Sequence, residues 1–545
     1  MHSLRRCRYA QLAMLGVMAA TVGCRRSPSG NAEPEGPNAM KAEARGASVD
    51  SAIARGVASL GAVLRPGEPG VVDVMFEINA DQGATPVSPF IYGMNFNGKS
   101  LTPLHWGVIR CGGNRLTAYN WENNASNAGA DYLFQNDGLM EGSDAPAKPL
   151  LHAIDTATGV AAATVITLSN ADYVAADKNG NGDVRNSGPN YLSTRFKRNY
   201  PKKPTPPAAL PDTTDNAVYQ DELVSFLKVH RPHARVIFSM DNEPDLWAHT
   251  HAEIFSKPVT YADLWKRNHD FAKAAKKAWP EAEVLGFVSY GYLGFVSLQK
   301  AEDADGRNFI EWYLDQARAA EQIEGVRLID YLDLHWYPEA QGGDKRIVGD
   351  EVDPEVVAAR VQAPRSLWDS SYEEKSWVRD AAGGPIDLLH WVKAKVDARY
   401  PGTKLAFTEW NFGGGKHISG AVAVADVLGI FGRYGVGLAT YWPMTSEEPF
   451  AVAAYYAFRN YDGQGSAFGD TQIAASTSNT SVASVYASID SNDPTRTVIV
   501  AINKATTAKK AGIKVGHASA YGTARVWALT GKQAAVVSAP PLTAV

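Results

Sequence analysis

Val236-Ile237-Phe238-Ser239-Met240 runs straight into Asp241-Asn242-Glu243-Pro244-Asp245. The first five residues are a short, mostly apolar run of strand length. The next five are polar and hold a proline, which stops a strand and stiffens the backbone around Glu243. The same order of apolar strand, polar loop and amphipathic helix repeats from about Ile91 to Trp442. Strands are expected at 90–93, 107–110, 163–168, 236–240, 284–287, 331–335, 405–408 and 438–441, and helices at 215–229, 261–278, 308–321, 386–400 and 419–434. Such alternation makes parallel strands joined by helical crossovers, and eight of them suggest a (β/α)8 barrel of the α/β class. A doubly wound sheet is the competing fold, but no glycine-rich dinucleotide turn supports it.

On the C-terminal side the helical pattern stops near Tyr455, and short strands are expected at 484–489, 496–502, 512–515 and 524–529, with turn residues between them. They read as a small β-sandwich. The strand-like run Val71-Val-Asp-Val-Met-Phe-Glu-Ile78 precedes the first barrel strand and is expected to join that sandwich. The expected organisation is a leader at 1–24, a tether at 25–70, the joining strand within 71–90, a barrel at 91–454 and the sandwich at 455–545.

The leader carries Arg5, Arg6 and Arg8 ahead of an apolar run from Ala10 to Val22, too short to span a bilayer. It ends in Thr21-Val22-Gly23-Cys24, which resembles a bacterial lipobox with Thr21 where Leu is usual. Export is therefore expected, with a lipid anchor at Cys24 or free secretion as the two outcomes. The tether is rich in Gly, Ala, Pro, Ser and charge, with a short helix possible at 51–63. Of the 3 Cys, Cys7 and Cys24 lie in the leader, so Cys111 has no partner for an intrachain disulfide and reads as a buried thiol.

The 545 residues carry a formal net charge of -5, with no dominant field to suggest nucleic acid or an anionic membrane as partner. Aromatic residues are 10% of the chain, with 13 Trp and 23 Tyr, which suits sugar-stacking clefts and large cores alike. The 12 His include no His-x-x-x-His pair, no cysteine cluster accompanies them, and no Gly-x-Ser-x-Gly elbow is present. Zinc and Ser-His-Asp chemistry are therefore not indicated. A monomer is the expectation.

In a barrel, function gathers where the strands end. Glu243 follows the fourth expected strand. Glu409 follows the seventh, in Glu409-Trp410-Asn411-Phe412-Gly413-Gly414-Gly415. Each alone could be a loop carboxylate in water. As a pair they match glycosidic hydrolysis, where one carboxylic acid protonates the leaving oxygen and one carboxylate meets the anomeric carbon. Asn242, Arg110, Asn114, Asn95 and Asn97 are candidates to bind hydroxyls or orient a carboxylate. His335 and Tyr337 follow the sixth strand and could hold the nucleophile ionised. Trp121, Trp247, Trp368, Trp377 and Trp442 are candidate sugar platforms, with core packing as the alternative for each. Asp177, Asn179, Asn181 and Asp183 alternate like half of a calcium loop, but position 188 is Gly where a bidentate Glu belongs, so a polar turn is the preferred reading.

Five stretches in order resemble glycoside hydrolase family 44. They are Arg110-Cys-Gly-Gly-Asn114 with Tyr119-Asn-Trp-Glu-Asn-Asn-Ala-Ser-Asn127, Asp241-Asn-Glu-Pro244 with Leu246-Trp247 and His249-Thr-His251, Asp333-Leu-His-Trp-Tyr-Pro-Glu339, Ala363-Pro-Arg-Ser-Leu-Trp368, and Thr408-Glu-Trp-Asn-Phe412. The resemblance runs from about Val71 to the C-terminus. It implies a retaining endo-β-1,4-glucanase or xyloglucanase acting on β-glucan, with Glu243 as acid/base and Glu409 as nucleophile. It implies a barrel joined to a β-sandwich built from both ends of the domain. It also implies a calcium-binding loop of Glu122, Asp212 and Asp215. Such an ion would be structural, since this chemistry needs no cofactor. A related mannanase or xylanase and a non-catalytic glycan-binding lipoprotein are the alternatives.

Overall fold

The computed structural model describes residues 8–14, 17–22, 69–96, 104–139, 143–160, 162–516, 521 and 523–543. Cys7, Cys24, Asn97, tether residues 25–68 and the short helix expected at 51–63 lie outside the described residues. The chain divides into two compact units. One is Ser88–Gly413 with Val436–Glu447, and the other is Met1–Val87 with Gly414–Gly435 and Glu448–Val545. The chain thus passes between units more than once.

The first unit is a closed barrel of eight parallel strands. In chain order they are Gly93–Asn95, Val108–Cys111, Ala163–Leu168, Val236–Met240, Glu283–Tyr290, Tyr331–Trp336, Lys404–Trp410 and Leu438–Tyr441. Strands one to eight are neighbours in that order, and the eighth closes on the first through Thr440↔Gly93 and Tyr441↔Met94. The interior holds one apolar cluster of Val108, Ala163, Val165, Ile237, Leu285, Tyr331, Ala406 and Leu438. The first strand begins later than its apolar run suggests. Pro89–Ile91 is a 3-10 turn, with Pro89 in its first position and Ser88 Oγ accepting from the Phe90 amide. The helix at Tyr261–Ala278 matches its expected bounds, with Thr260 Oγ1 accepting from the Asp263 amide as an N-cap. The helix expected from 215 starts only at Gln220, because Ala217–Tyr219 pairs in parallel with Arg198–Tyr200 in a small three-stranded sheet.

Two irregularities decide which side chains enter the barrel mouth. Along the sixth strand, Tyr331, Asp333 and His335 share the inner face by the period of two. On the seventh strand the same period would send Ala406 and Thr408 inward and Glu409 outward. The pairing instead passes from Asp333↔Ala406 to His335↔Glu409, so the seventh strand carries one extra residue and bulges. A bulge re-aims the side chains that follow it, and here Thr408 and Glu409 both reach the interior. The fifth strand bulges between Phe287 and Ser289, where Val288 has φ 59.

In the second unit, a sheet path runs Lys509–Gly516, Val74–Asn79, Thr471–Thr477, Ala483–Asp490 and Asp493–Asn503, and Thr523–Thr530 pairs with Gln533–Thr543. Val74–Asn79 pairs antiparallel with Thr471–Thr477 and parallel with Lys509–Gly516, so the N-terminal strand does join the C-terminal sheet domain. Its Val74, Phe76 and Ile78 are buried in one core with Ile473, Val485, Ile499, Ile513 and Val526. The strand at 533–543 contains Pro540 and Pro541 and lies at the end of the path, where a missing amide donor costs no ladder bond. Arg8–Met14 and Val17–Val22, within the expected leader, are also strands. The first pairs with Lys509–Gly516, and the second lies between Asp493–Asn503 and Thr523–Thr530. A leader's apolar run is also a good strand former, and strand edges with open backbone groups recruit such a run. Among the described residues, no helix is long and apolar enough to cross a membrane.

Candidate active site

Asp241, Asn242 and Glu243 form a tightly held turn at the end of the fourth strand. Asp241 is fully buried; its Oδ1 accepts from the Thr117 hydroxyl (2.6 Å) and the Asn242 amide (2.8 Å), and its Oδ2 accepts from the Asn170 amide. With the turn pinned this way, Asp241 and Glu243 both adopt left-handed backbone conformations, with φ 69 and φ 42. For a non-glycine residue each such position costs about 1–3 kcal/mol and persists only where its surroundings enforce it. The Glu243 amide donates to the Val288 carbonyl (2.9 Å), and Trp247 Nε1 donates to the Asn242 carbonyl (2.9 Å). The result aims a carboxyl into the barrel mouth from a rigid frame.

Glu409 meets Glu243 from the bulged seventh strand. Carboxylate oxygens of both residues and a ring nitrogen of His335 all lie within 4.8 Å of one another. The two acids have opposite surroundings. Glu409 accepts from Arg110 (Nη1 to Oε1, 2.7 Å) and from the Tyr337 hydroxyl (Oε2, 2.7 Å). Burial pushes its carboxyl up, but His335, Arg110 and these two hydrogen bonds outweigh burial and hold it below the ordinary carboxylate range. His335 is itself pushed down, toward its neutral form, by burial. The Arg110 guanidinium, bonded to Glu409 at 2.7 Å, is therefore the dependable counter-ion. Glu243 has His335 Nδ1 at 2.8 Å and, among the described residues, no arginine or tyrosine hydroxyl bonded to it. Burial, and then repulsion from Glu409, raise its carboxyl well beyond the ordinary range. Of the pair, Glu409 ionises first and Glu243 holds its proton more tightly, as two close like charges with unequal hydrogen bonding should.

Arg110 organises the remaining polar groups. It is fully buried and donates to Asn95 Oδ1 (3.0 Å) and Asn242 Oδ1 (2.7 Å) as well as to Glu409. Asn95 Nδ2 in turn donates to the carbonyls of Thr408 and Tyr441. Asn242 Nδ2 donates to Asn114 Oδ1 (3.1 Å), and Asn114 Nδ2 donates to Asp131 Oδ2 (3.0 Å). Glycine is required at 112, where a Cβ would stand 2.5 Å from the Arg110 guanidinium carbon. Gly113 is required too, with φ +93 and the Trp442 ring 2.8 Å from where a Cβ would be. Trp442 therefore packs over Gly113 at the cleft wall. The cleft is lined by Gly113, Asn114, Asp131, Asn242, Glu243, Tyr290, Tyr337, Arg346, Val348, Glu409, Trp442 and Met444.

Several expectations need correction. His335 is expected from its position to support the nucleophile, but its Nδ1 is 2.8 Å from Glu243 Oε1 and 3.6 Å from Glu409 Oε2, so its hydrogen bond goes to the acid. Trp121 and Trp247 are fully buried, with Phe226 and Phe255 against their rings, so they are core residues and not platforms. Trp368 is half-buried and Trp377 exposed, and neither lines the cleft. Among the described residues, Glu122, Asp212 and Asp215 do not bring ligand atoms within 4.8 Å of one another, although Asp215 is near enough to add to the rise of the Glu122 carboxyl. Glu122 is bonded by the Lys197 ammonium (3.0 Å), while Asp212 and Asp215 accept from the backbone two residues ahead. Burial lifts the Glu122 carboxyl to about 7. As arranged, this donor set does not fit a shared calcium ion. Asp177 and Asn179 are taken up by the Arg195 guanidinium and Asp183 by Arg185, which makes that loop a polar turn. Cys111 is buried, and burial pushes its thiol up to about 12, so it is inert. Sequence reading misses Asp131, Tyr290 and Arg346 in the cleft, and Asp333 and Thr408 behind it. The last two stand inside the family motifs, on the same strand faces as His335, and the period of two is the signal that could find them.

Tyr337→Phe tests the electrostatics. Losing one donor raises the Glu409 carboxyl, and the nucleophile works only when ionised. The acidic limb of the pH–rate profile is therefore expected to move to higher pH, with kcat lowered about tenfold at its optimum. An acidic limb in its wild-type place shows that the hydroxyl does not set the Glu409 charge.

The family model for glycoside hydrolase family 44 matches residues 125–340. Endoglucanase A of Paenibacillus lautus is 40% identical over 451 residues, covering 79% of this chain and 64% of that protein. Beta-mannanase/endoglucanase A of Caldicellulosiruptor saccharolyticus is 40% identical over 462 residues, covering 79% of this chain and 34% of that one. The chain therefore spans about two thirds or less of the curated relatives it matches. A solved structure of a family 44 xyloglucanase from Paenibacillus polymyxa, with xyloglucan, is 36% identical, covers 87% of this chain and 95% of that chain, and superposes with a TM-score of 0.81. Agreement at that identity over nearly the whole of a solved relative places the protein: it belongs to glycoside hydrolase family 44.

Proposed function

We propose that the protein is a retaining endo-β-1,4-glucanase of the endoglucanase/xyloglucanase type. The observation that carries this reading is the acid–carboxylate pair, with oxygens within 4.8 Å. Retaining enzymes hold their carboxyl groups about 5–5.5 Å apart, whereas inverting ones leave about 6.5–9.5 Å for a water. In the first step Glu243 gives its proton to the glycosidic oxygen as that bond breaks. Glu409 attacks the anomeric carbon and forms a glycosyl ester. In the second step Glu243, now a carboxylate, takes a proton from water. The water oxygen displaces Glu409, and the sugar leaves with its original configuration. Arg110 and Tyr337 hold Glu409 ionised and oriented throughout, and Trp442 offers its ring to a sugar in the cleft.

Two names among the relatives support a glucan as substrate, and the mannanase/endoglucanase is matched over only 34% of its length, so mannan gains little from it. The leader supports export, to the envelope through a lipid on Cys24 or to the medium. No cofactor enters the chemistry. The test is product analysis on xyloglucan, carboxymethylcellulose, mixed-linkage glucan, mannan and xylan, with the anomer of early products read by proton NMR. β-Anomers from glucans are expected. α-Anomers sink retention, mannan or xylan as preferred substrate sinks the glucanase reading, and binding without reducing ends points to a glycan-binding protein.

A further inference from the structure

Behind the acid lies a chain of hydrogen bonds that leaves few choices for its protons. Asp333 and Thr408 are fully buried. Asp333 Oδ1 accepts from the Thr408 amide (3.0 Å), and Asp333 Oδ2 accepts from the Thr408 hydroxyl (2.7 Å). A threonine hydroxyl has one proton. Once that proton is committed to Asp333, Thr408 Oγ1 can only accept from His335 Nε2, which lies 3.0 Å away. The neutral imidazole then carries its hydrogen on Nε2 and a bare lone pair on Nδ1. That lone pair faces Glu243 Oε1 at 2.8 Å. Only a protonated carboxyl can complete this contact as a hydrogen bond. An ionised Glu243 would set two acceptors against each other in a buried site.

We propose that Asp333 and Thr408 are positioning residues that select the Nε2–H tautomer of His335 and thereby hold the proton on Glu243 until the glycosidic oxygen arrives. This rests on the reading of Glu243 as the acid. The bulge in the seventh strand gives the arrangement its geometry, since it lets Thr408 serve the relay while Glu409, the next residue, faces the substrate. The charged and titratable groups around His335 are Glu243, Glu409, Arg110, Asp333 and Asp245, and those around Glu243 add Asp131, Tyr290 and Tyr337. Among the described residues, Glu243 alone of these lies within hydrogen-bond distance of Nδ1, and Glu409 Oε2 stands off at 3.6 Å. Burial lowers His335 and raises Asp333. A protonated Asp333 could donate to Thr408 and reverse the whole chain, putting the hydrogen on Nδ1, so the experiment must read the direction.

Nitrogen NMR of the histidine-labelled wild-type enzyme, with His335 assigned by its loss in His335→Gln, reports the tautomer directly and needs no activity. An Nε2–H ring is expected, and an Nδ1–H ring overturns the proposal. The pH dependence of kcat/KM for Thr408→Val and Thr408→Ser is the second arm. Valine removes the hydroxyl, frees the ring to present Nδ1–H and favours ionised Glu243. The basic limb should move to lower pH, with activity on the alkaline side about tenfold lower, while serine keeps the wild-type limb. A wild-type limb in Thr408→Val, or a limb moved upward, overturns the proposal even with an Nε2–H ring. Should the valine variant fail to fold, the wild-type spectrum still decides the tautomer. Full activity in Glu243→Gln would instead remove the acid reading itself, which neither arm measures.

Discussion

Glu409→Ala is expected to lose at least about 10⁴-fold in kcat on every glucan the enzyme cleaves. No neighbouring group can replace the lost carboxylate. Glu243 is still raised by its burial once Glu409 is gone and is aimed at the leaving oxygen, and Tyr337 is a donor whose hydroxyl burial pushes well above the usual range. The loss is partly repairable in an informative way. Removing the side chain opens a hole beside the Arg110 guanidinium, which is fully buried and built to bond an anion. Azide fits that description. In Glu409→Ala, azide attacks the anomeric carbon from the vacated side while Glu243 still protonates the leaving oxygen, so an activated β-cellobioside should yield the α-glycosyl azide. Stability should suffer as well, since a buried cation without its partner costs about 3–5 kcal/mol. Glu409→Gln keeps an oxygen acceptor for Arg110, so it should be equally inactive on glucans but better folded. Either variant retaining more than about a hundredth of wild-type kcat, measured as reducing ends from soluble glucan, would exclude Glu409 as the nucleophile.

Much of this site is legible in the amino-acid sequence, and the parts that are not share a cause. The eight strands are readable because their apolar runs and polar ends repeat, and Glu243 and Glu409 follow from strand counting. The bulges are not readable. A simple alternation through Ala406, Phe407 and Thr408 sends Glu409 to the outside of the barrel, and only the extra residue opposite Asp333 and His335 turns it in. The partner of His335 depends on the same local shift, which is why the ring hydrogen-bonds the acid at 2.8 Å and stands 3.6 Å from the nucleophile. Tryptophans pose a different difficulty. Trp121, Trp247 and Trp442 all stand in or beside polar motifs, but the first two find ring and carbonyl partners in the core. Trp442 lies over a glycine with no Cβ. A ring's neighbours decide its role, and those neighbours are distant in sequence. The strand at 533–543 escapes a sequence reading because two prolines argue against a strand unless its place at the sheet edge is known.

Glu243→Ala should fail differently, and the difference assigns the roles. An acid catalyst matters in proportion to how badly the leaving group needs a proton. On glucan, whose leaving group is an alkoxide, kcat/KM is expected to fall about 10²–10⁴-fold. On a dinitrophenyl β-cellobioside, whose leaving group departs unprotonated, the first step should be nearly unchanged and the glycosyl-enzyme should accumulate, because no base remains to activate water. Azide then enters on the side Glu243 has left and displaces Glu409, so the product is the β-glycosyl azide, opposite in anomer to that from Glu409→Ala. One anomer from both variants contradicts the assigned double displacement. Stability adds an independent reading. Glu243 holds φ 42 and ψ 54 at the start of the 3-10 turn Pro244–Leu246, a conformation that glycine adopts freely and other residues resist. It also buries a carboxyl that burial and Glu409 make costly to ionise. Glu243→Gly removes both burdens, at the cost of the contact to His335. Its midpoint of thermal unfolding should therefore equal or exceed that of the wild type while glucan hydrolysis collapses. A rise in stability with loss of activity is what a strained residue retained for its chemistry predicts. A clear drop in stability would mean that Glu243 holds the turn together, and that the strain is balanced by the hydrogen bond to His335.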